Sequence, residues 1–118
     1  MKAERAMIRT KRIYEAPSPD DGHRLLVMRM WPRGIRKEAV DEWQPDLGPS
    51  RALIAEFRQG RIDWPEFAAR YQAEMAEKGE LLARVREQAQ RETVTLLCSC
   101  ANENRCHRGL LKELLERL

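Results

Sequence analysis

The chain has 118 residues, of which 35% are charged, and its formal net charge is +3. This length allows one hydrophobic core rather than two. No apolar run is long enough to cross a bilayer, and the opening MKAERAMIRT lacks the apolar centre of a secretion signal. We therefore expect a cytoplasmic monomer or homodimer without a membrane partner, with a flexible extension over residues 1–7 and one domain over residues 8–118.

The basic residues are concentrated in the first third of the chain. Residues 1–37 hold ten lysines and arginines against four acids, whereas residues 38–118 hold twelve against fifteen. Such an excess favours binding of phosphate, an acidic ligand or nucleic acid. The alternative is that these side chains only solvate exposed strand edges.

Two strands are predicted near the start of the chain. Residues 8–14 alternate apolar and basic side chains, which indicates a half-exposed strand. Residues 23–30 are more apolar and predict a more central strand. That strand must stop at the segment Trp31-Pro32-Arg33-Gly34, because proline cannot donate to a β-ladder.

The middle of the chain is predicted to be helical. A short helix over residues 37–43 is followed by one that Ser50 caps and that ends at Gly60. A capping box at Asp63 begins the next helical stretch, which is either two helices or one helix bent near Gly79. The apolar residues expected in the core are Trp43, Trp64, Phe67, Tyr71, Met75, Leu82, Val85 and Ala89.

The C-terminal stretch concentrates most of the reactive side chains. Thr93 to Cys98 predict a buried strand with Cys98 and Cys100 on one face, and a leucine stripe predicts a closing helix. Asn102 or Asn104 is expected to cap this helix. Cys106 would then lie in its first turn, where free N–H groups favour a thiolate or a bound anion, and Arg108 on its more polar side.

The order of elements predicts an α/β fold. A strand followed by helices and another strand implies a right-handed crossover and a parallel pair, here residues 24–30 with 93–98. The carboxyl ends of such strands meet at one sheet edge, which is where ligands bind in open α/β sheets. The ligand-binding residues expected there are Trp31, Arg33, Gly34, Cys98 and Arg108, beside Cys100, Cys106 and His107.

Four segments of the chain resemble a known family. VMRMWPRGIRKEAVDEW, DLGPS, WPEFAARYQAEM and VTLL are similar to the YeaO-like branch of the domain of unknown function 488 family, over about residues 8–118. The resemblance implies a compact α/β fold and supplies no substrate, since the family name records no established activity. Two features depart from the branch: Met28 stands where an aspartate is usual, and Cys98 with Cys106-His107-Arg108 is similar to the wider family.

The first chemical hypothesis is a thiol enzyme or an oxyanion-binding protein. Cys106 would be the nucleophile with His107 beside it, and the helix start and neighbouring basic residues would lower its pKa. Arg33 and Arg108 would hold a phosphate, sulfate or carboxylate, because a guanidinium offers two parallel hydrogen bonds. The alternative is that Cys98 and Cys106 are small buried apolar side chains. No phosphatase or sulfurtransferase loop is present.

A second hypothesis is a zinc site made from Cys98, Cys100, Cys106 and His107. Its spacing is unusual, because a C-x-C pair is tight and adjacent residues on a helix point about 100° apart. A third is nucleic-acid binding, with Trp31 stacking on a base. The basic residues for this are Arg9, Lys11, Arg12, Arg24, Arg29, Arg33, Arg36 and Lys37. We favour an anionic small ligand, and expect no cofactor.

Overall fold

The structure is a computed structural model that describes residues 6–118, the side chain of Glu103 excepted. It contains one four-stranded sheet in the order β1-β4-β2-β3, and every pairing is parallel. The strands are β1 (Ile8–Arg12), β2 (His23–Leu26), β3 (Glu42–Trp43) and β4 (Val94–Cys98). The α/β class and the parallel pairing of β2 with β4 are confirmed. Because residues 1–5 are not described, the extension over residues 1–7 stays a prediction.

The central strand is β4, which brings the C-terminal chemistry into the middle of the sheet. Val94 pairs with Ile8 on one side and His23 on the other. All five residues of β4 are buried, as expected for a parallel strand covered on both faces. β2 is shorter than the predicted 23–30, because the chain leaves the sheet after Val27, whose N–H still donates to Leu97 O at 3.0 Å.

Within residues 6–118, four helices pack against one face of the sheet, and most of their predicted starts are confirmed. They are α1 (Arg51–Arg58), α2 (Trp64–Met75), α3 (Gly79–Arg91) and α4 (His107–Arg117). Ser50 Oγ accepts from Leu53 N–H, and Asp63 Oδ1 accepts from Glu66 N–H. The prediction of a full capping box is wrong, because the Glu66 carboxylate pairs with Arg70 and not with the backbone N–H of Asp63. A 3₁₀ turn separates α2 from α3.

The predicted helix over residues 37–43 is wrong. This segment forms a 3₁₀ turn at Lys37–Ala39 and then β3. Asp41 holds it extended along β2, since its N–H donates to Arg24 O and its carboxylate accepts from Arg24 N–H at 2.8 Å. Trp43 is consequently 39% exposed rather than in the core, and its indole N–H donates to Met28 O.

The main core lies between the helices and one face of the sheet, where Leu25, Val94 and Leu96 contact the helical apolar stripes. Tyr71 is fully buried there, and its hydroxyl donates to Leu47 O at 2.7 Å. On the other face a smaller cluster of Ile13, Leu26 and Leu97 is covered by a loop rather than a helix. In the described part of the chain, no helix has the length and apolar character needed to cross a membrane.

Candidate functional site

A cavity of about 400 Å³ opens at the carboxyl edge of the sheet. Its apolar wall comes from the loop after β2 and from α1 and α2, namely Met28, Trp31, Ile54, Phe57 and Phe67. Three arginines also line it, Arg29, Arg58 and Arg105. The remaining wall contains Cys98, Cys100, Cys106 and His107. The structure thus brings Trp31 and the C-terminal cysteines to one cavity, from opposite ends of the chain.

The three cysteines and the histidine form a compact cluster. Cys98 Sγ lies 3.6 Å from Cys100 Sγ and 3.9 Å from His107 Nδ1. Cys106 Sγ also lies 3.9 Å from His107 Nδ1, and the four ligand atoms are all within 4.8 Å of one another. Cys98, Cys106 and His107 are buried, and Cys100 is partly exposed. β4, the loop after it and the start of α4 together build this cluster.

His107 is the first residue of α4 and points into the protein. Its Nε2 lies 2.5 Å from Val27 O, so this nitrogen carries the hydrogen and donates it. Burial lowers the pKa of His107, which keeps the ring neutral near pH 7. The lone pair of Nδ1 then faces the sulfur atoms. The Tyr71 ring packs beside the imidazole, with centroids 5.4 Å apart.

Arg108 does not lie on the polar side of α4, as its spacing from Lys112 had predicted. It is 2% exposed. Its Nη1 donates to Cys100 O at 2.9 Å and to Cys106 Sγ at 3.5 Å, which compensates for burial of the charge. Arg108 Nε is buried with no partner among the described residues. Arg108 therefore holds the cysteine loop through its bonds to Cys100 O and Cys106 Sγ, and it does not line the cavity.

The other two residues predicted from the Trp31 loop lie elsewhere. Arg33 and Gly34 are exposed and are not among the described residues that line the cavity. The Arg33 carbonyl accepts from the Tyr14 hydroxyl at 3.0 Å, and Gly34 has a φ of 80°. Both residues therefore form an outer turn. Within the segment Trp31-Pro32-Arg33-Gly34, Trp31 alone lines the cavity, and its indole N–H donates to Ile35 O.

Cys100, rather than Cys106, has a lowered pKa. Hydrogen bonds from Cys106 and Cys98 lower the pKa of Cys100, and the charge of Arg108 adds to this effect. The same bonds, together with burial, raise the pKa of Cys98 and of Cys106. The predicted lowering of the Cys106 pKa is therefore wrong in direction.

The start of α4 also differs from the prediction. Asn102 Oδ1 accepts from Asn104 N–H and caps a 3₁₀ turn, Glu103–Arg105, instead of the helix. Cys106 occupies the N-cap of α4 in an extended conformation, with φ −135° and ψ 143°, and makes no side-chain cap bond. Cys106 therefore precedes the first turn, and the helix N-terminus with its partial positive charge adjoins the cavity.

The basic residues of the first third are partly neutralised. Lys11 and Arg24 flank the buried Asp21 at 3.1 and 2.5 Å, and Arg29 pairs with Asp46 at 3.1 Å. Two carboxylates therefore offset part of the charge of these three side chains, which weakens the hypothesis of a nucleic-acid surface. Arg58 was not identified from the sequence, because only the packing of α1 brings it to the cavity, and Arg105 was expected only as a basic neighbour of Cys106.

Comparison with known proteins places this chain among relatives without an assigned function. The family described as "Active DUF488-N3 subclade" matches residues 8–118. Uncharacterized protein YeaO of Escherichia coli K12 is 36% identical over 113 residues, which cover 94% of this chain and 98% of YeaO. Uncharacterized protein Rv3073c of Mycobacterium tuberculosis H37Rv is 38% identical over 110 residues, or 92% of each chain. No solved structure gives a significant match.

Proposed function

This chain belongs to the DUF488-N3 family, in the subclade described as active, and we propose that it binds a small organic anion in the cavity at the carboxyl edge of the sheet. The observation that carries the proposal is the composition of that cavity, which combines an apolar wall with three arginines. Its volume of about 400 Å³ lies in the usual range of small-molecule sites.

Arg29 is a fixed part of the cavity wall. Its guanidinium donates to Pro49 O at 3.2 Å and to Gly48 O at 2.9 Å, and it pairs with Asp46. These bonds hold the guanidinium in one orientation, so it contributes a positioned positive charge. Most N–H donors of Arg29 already bond to the protein, so other groups must form the direct hydrogen bonds to a ligand.

Arg58 and Arg105 are better placed to contact an anion directly. Both are exposed, and neither forms a salt bridge with another described residue. A guanidinium binds carboxylate or phosphate through two parallel hydrogen bonds. The N-terminus of α4 favours negative charge at the same end of the cavity.

The apolar wall of the cavity indicates the character of the ligand beyond its acidic group. Trp31, Phe57 and Phe67 supply aromatic surface, and Met28 and Ile54 supply aliphatic surface. An inorganic ion would leave this surface in contact with water. A ligand with a flat or apolar body and one acidic group would bury it, and we therefore expect an organic anion to bind more tightly than phosphate alone.

Isothermal titration calorimetry with inorganic phosphate, benzoate and adenosine 5′-monophosphate tests this proposal. We expect at least one organic anion to bind more tightly than phosphate, and Arg58→Gln and Arg105→Gln each to weaken that binding about tenfold. Arg91→Gln is the matched control, because Arg91 ends α3 at the opposite edge of the sheet. Absence of binding by all three anions, or equal binding by all variants, would overturn the proposal.

A second candidate function is thiol chemistry, and its nucleophile would be Cys100 rather than Cys106. Cys100 is the one partly exposed cysteine of the cluster, and it lines the cavity. A substrate held by the arginines would thus approach Cys100 first. Selective labelling of Cys100 by iodoacetamide in the folded protein is the result expected from this candidate, and preferential labelling of Cys106 would contradict it.

A further inference from the structure

Beyond anion binding, we propose that Cys98, Cys100, Cys106 and His107 together hold one zinc ion. The proposal does not depend on the ligand of the cavity, because it rests on the mutual positions of these four side chains. Three sulfurs and an imidazole nitrogen are soft ligands in the number that tetrahedral zinc requires.

The distances fit a tetrahedral ion. With Zn–S about 2.3 Å and Zn–N about 2.0–2.1 Å, neighbouring ligand atoms lie about 3.5–3.8 Å apart. The structure places Cys98 Sγ 3.6 Å from Cys100 Sγ and 3.9 Å from His107 Nδ1. All four ligand atoms lie within 4.8 Å of one another. Small side-chain rotations therefore bring them onto one ion without moving the backbone elements.

The backbone conformation of Cys106 allows two adjacent residues, Cys106 and His107, to bind the same ion. Adjacent residues on a helix diverge by about 100°, which would keep Cys106 and His107 from sharing an ion. Cys106 is instead extended, at φ −135° and ψ 143°, and the helix begins only at His107. This change of conformation between the two residues lets both side chains point to the same place, 3.9 Å apart.

Contacts with Val27 and Arg108 orient the histidine and offset the charge of the cysteines as a metal site requires. His107 Nε2 donates to Val27 O, which leaves Nδ1 as the nitrogen that faces the sulfurs. Metal-binding histidines usually have their second nitrogen fixed in this way. Arg108 donates to Cys106 Sγ and to Cys100 O. Zinc with three thiolates has a net charge of −1, and the buried guanidinium beside it compensates for that charge.

Metal binding and thiol catalysis by the same residues are mutually exclusive. A bound zinc ion makes all three thiolates ligands, and no free nucleophile remains. The cluster would then close one end of the cavity as a structural centre, since a site with four protein ligands has no open position. The arginines can bind an anion whether the cysteines hold zinc or are metal-free.

The test begins with the full-length wild-type protein and needs no variant. Metal-free protein is titrated with Zn²⁺ against a chromophoric chelator, and separately with Co²⁺. We expect one equivalent of zinc to bind, and cobalt to give the visible bands of a tetrahedral ion with sulfur-to-metal charge transfer in the near ultraviolet. Failure to compete with a chelator of micromolar affinity, or a cobalt spectrum without charge transfer, would overturn the proposal.

Variants then identify the ligands. Cys100→Ser removes a partly exposed ligand and should lower the zinc affinity at least a hundredfold, whereas Ser99→Ala, the neighbouring control, should leave it unchanged. Arg58→Gln keeps all four ligands and should bind zinc as the wild type does, even where it loses the organic anion. Unchanged zinc affinity in Cys100→Ser would contradict the assignment. Loss of zinc and loss of anion binding are therefore separate outcomes.

Discussion

His107 Nε2 lies 2.5 Å from the carbonyl oxygen of Val27, and this contact joins the first residue of the closing helix to the residue that follows β2, 80 positions earlier. It satisfies a carbonyl that leaves the β-ladder, and it decides which ring nitrogen is free. The orientation of Nδ1 toward the cysteines therefore depends on how β2 ends. The sheet edge and the cysteine cluster are parts of one arrangement.

Two substitutions at His107 should separate its structural role from its ligand role. His107→Ala leaves Val27 O without its partner and opens a cavity, and we expect a loss of about 2–4 kcal/mol in the free energy of unfolding. Glutamine has an amide N–H that reaches about as far as Nε2, so His107→Gln should lower the free energy of unfolding by less than His107→Ala does. Urea unfolding in the presence of a chelator measures both values.

The same pair should behave alike toward zinc, because neither side chain offers an imidazole nitrogen. Competition against a chromophoric chelator should show a comparable loss of affinity in both variants. Equal destabilisation of His107→Ala and His107→Gln without metal would contradict the role of the Val27 contact. Unchanged zinc affinity in either variant would contradict the ligand role.

Asp21 should make stability depend on pH. Burial alone would raise its pKa, but hydrogen bonds from Ser18 N–H, Lys11 and Arg24 outweigh it and lower the pKa below 3.8. Because the folded pKa is lower than the unfolded one, this stabilisation is complete above the unfolded pKa. It is lost as the pH falls through the folded value.

Asp21→Asn should therefore lower the free energy of unfolding by about 3 kcal/mol at pH 7, since it leaves the buried Arg24 without its carboxylate. The difference from the wild type should shrink below about pH 4. Asp20→Asn, at the exposed neighbour, should change stability little at either pH. Urea unfolding at pH 7 and pH 3 provides the comparison, and a difference independent of pH would contradict the ion-pair account.

Gly48 should tolerate no side chain. A β-carbon there would lie 2.6 Å from Arg29 N and 2.9 Å from the carbonyl carbon of Met28, both of them backbone atoms. Gly48→Ala should therefore destabilise the protein by about 2 kcal/mol or more and displace Arg29 from the cavity wall. Thermal unfolding, with anion titration of the surviving protein, would measure both effects.

Gly79 is the matched control for Gly48. It begins α3 with helical backbone angles, and an added β-carbon would meet no described atom within 4 Å. Gly79→Ala should stabilise the helix by about 0.5–1 kcal/mol, because alanine loses less backbone entropy on folding. A stabilising Gly48→Ala, or a strongly destabilising Gly79→Ala, would contradict the packing described for the two positions.

Local patterns were sufficient to predict much of the fold. Alternation and β-branching located β1, β2 and β4, and the cap chemistry of Ser50 and Asp63 located two helix starts. β3 was missed because two residues have no detectable period. Its extended conformation depends on Asp41 and Arg24, which are 17 positions apart.

The site was only partly predictable for a related reason. The strand order brought Cys98 and the Trp31 loop to the same edge, as the rule for parallel sheets implies. The inward position of Arg108 was not predictable, because its partners are a carbonyl group and a sulfur atom that only the folded loop supplies. The approach of Cys106 to His107 likewise depends on one extended residue before a helix.

Residue-resolved alkylation of the three cysteines, read by mass spectrometry with and without one equivalent of zinc, tests whether they share one metal ion at the cavity. We expect Cys100 to be labelled first in folded, metal-free protein, and zinc to protect Cys98, Cys100 and Cys106 together. Labelling of all three at the same rate with and without zinc would contradict a shared metal site. Labelling of Cys106 ahead of Cys100 would contradict the arrangement of the cluster at the cavity.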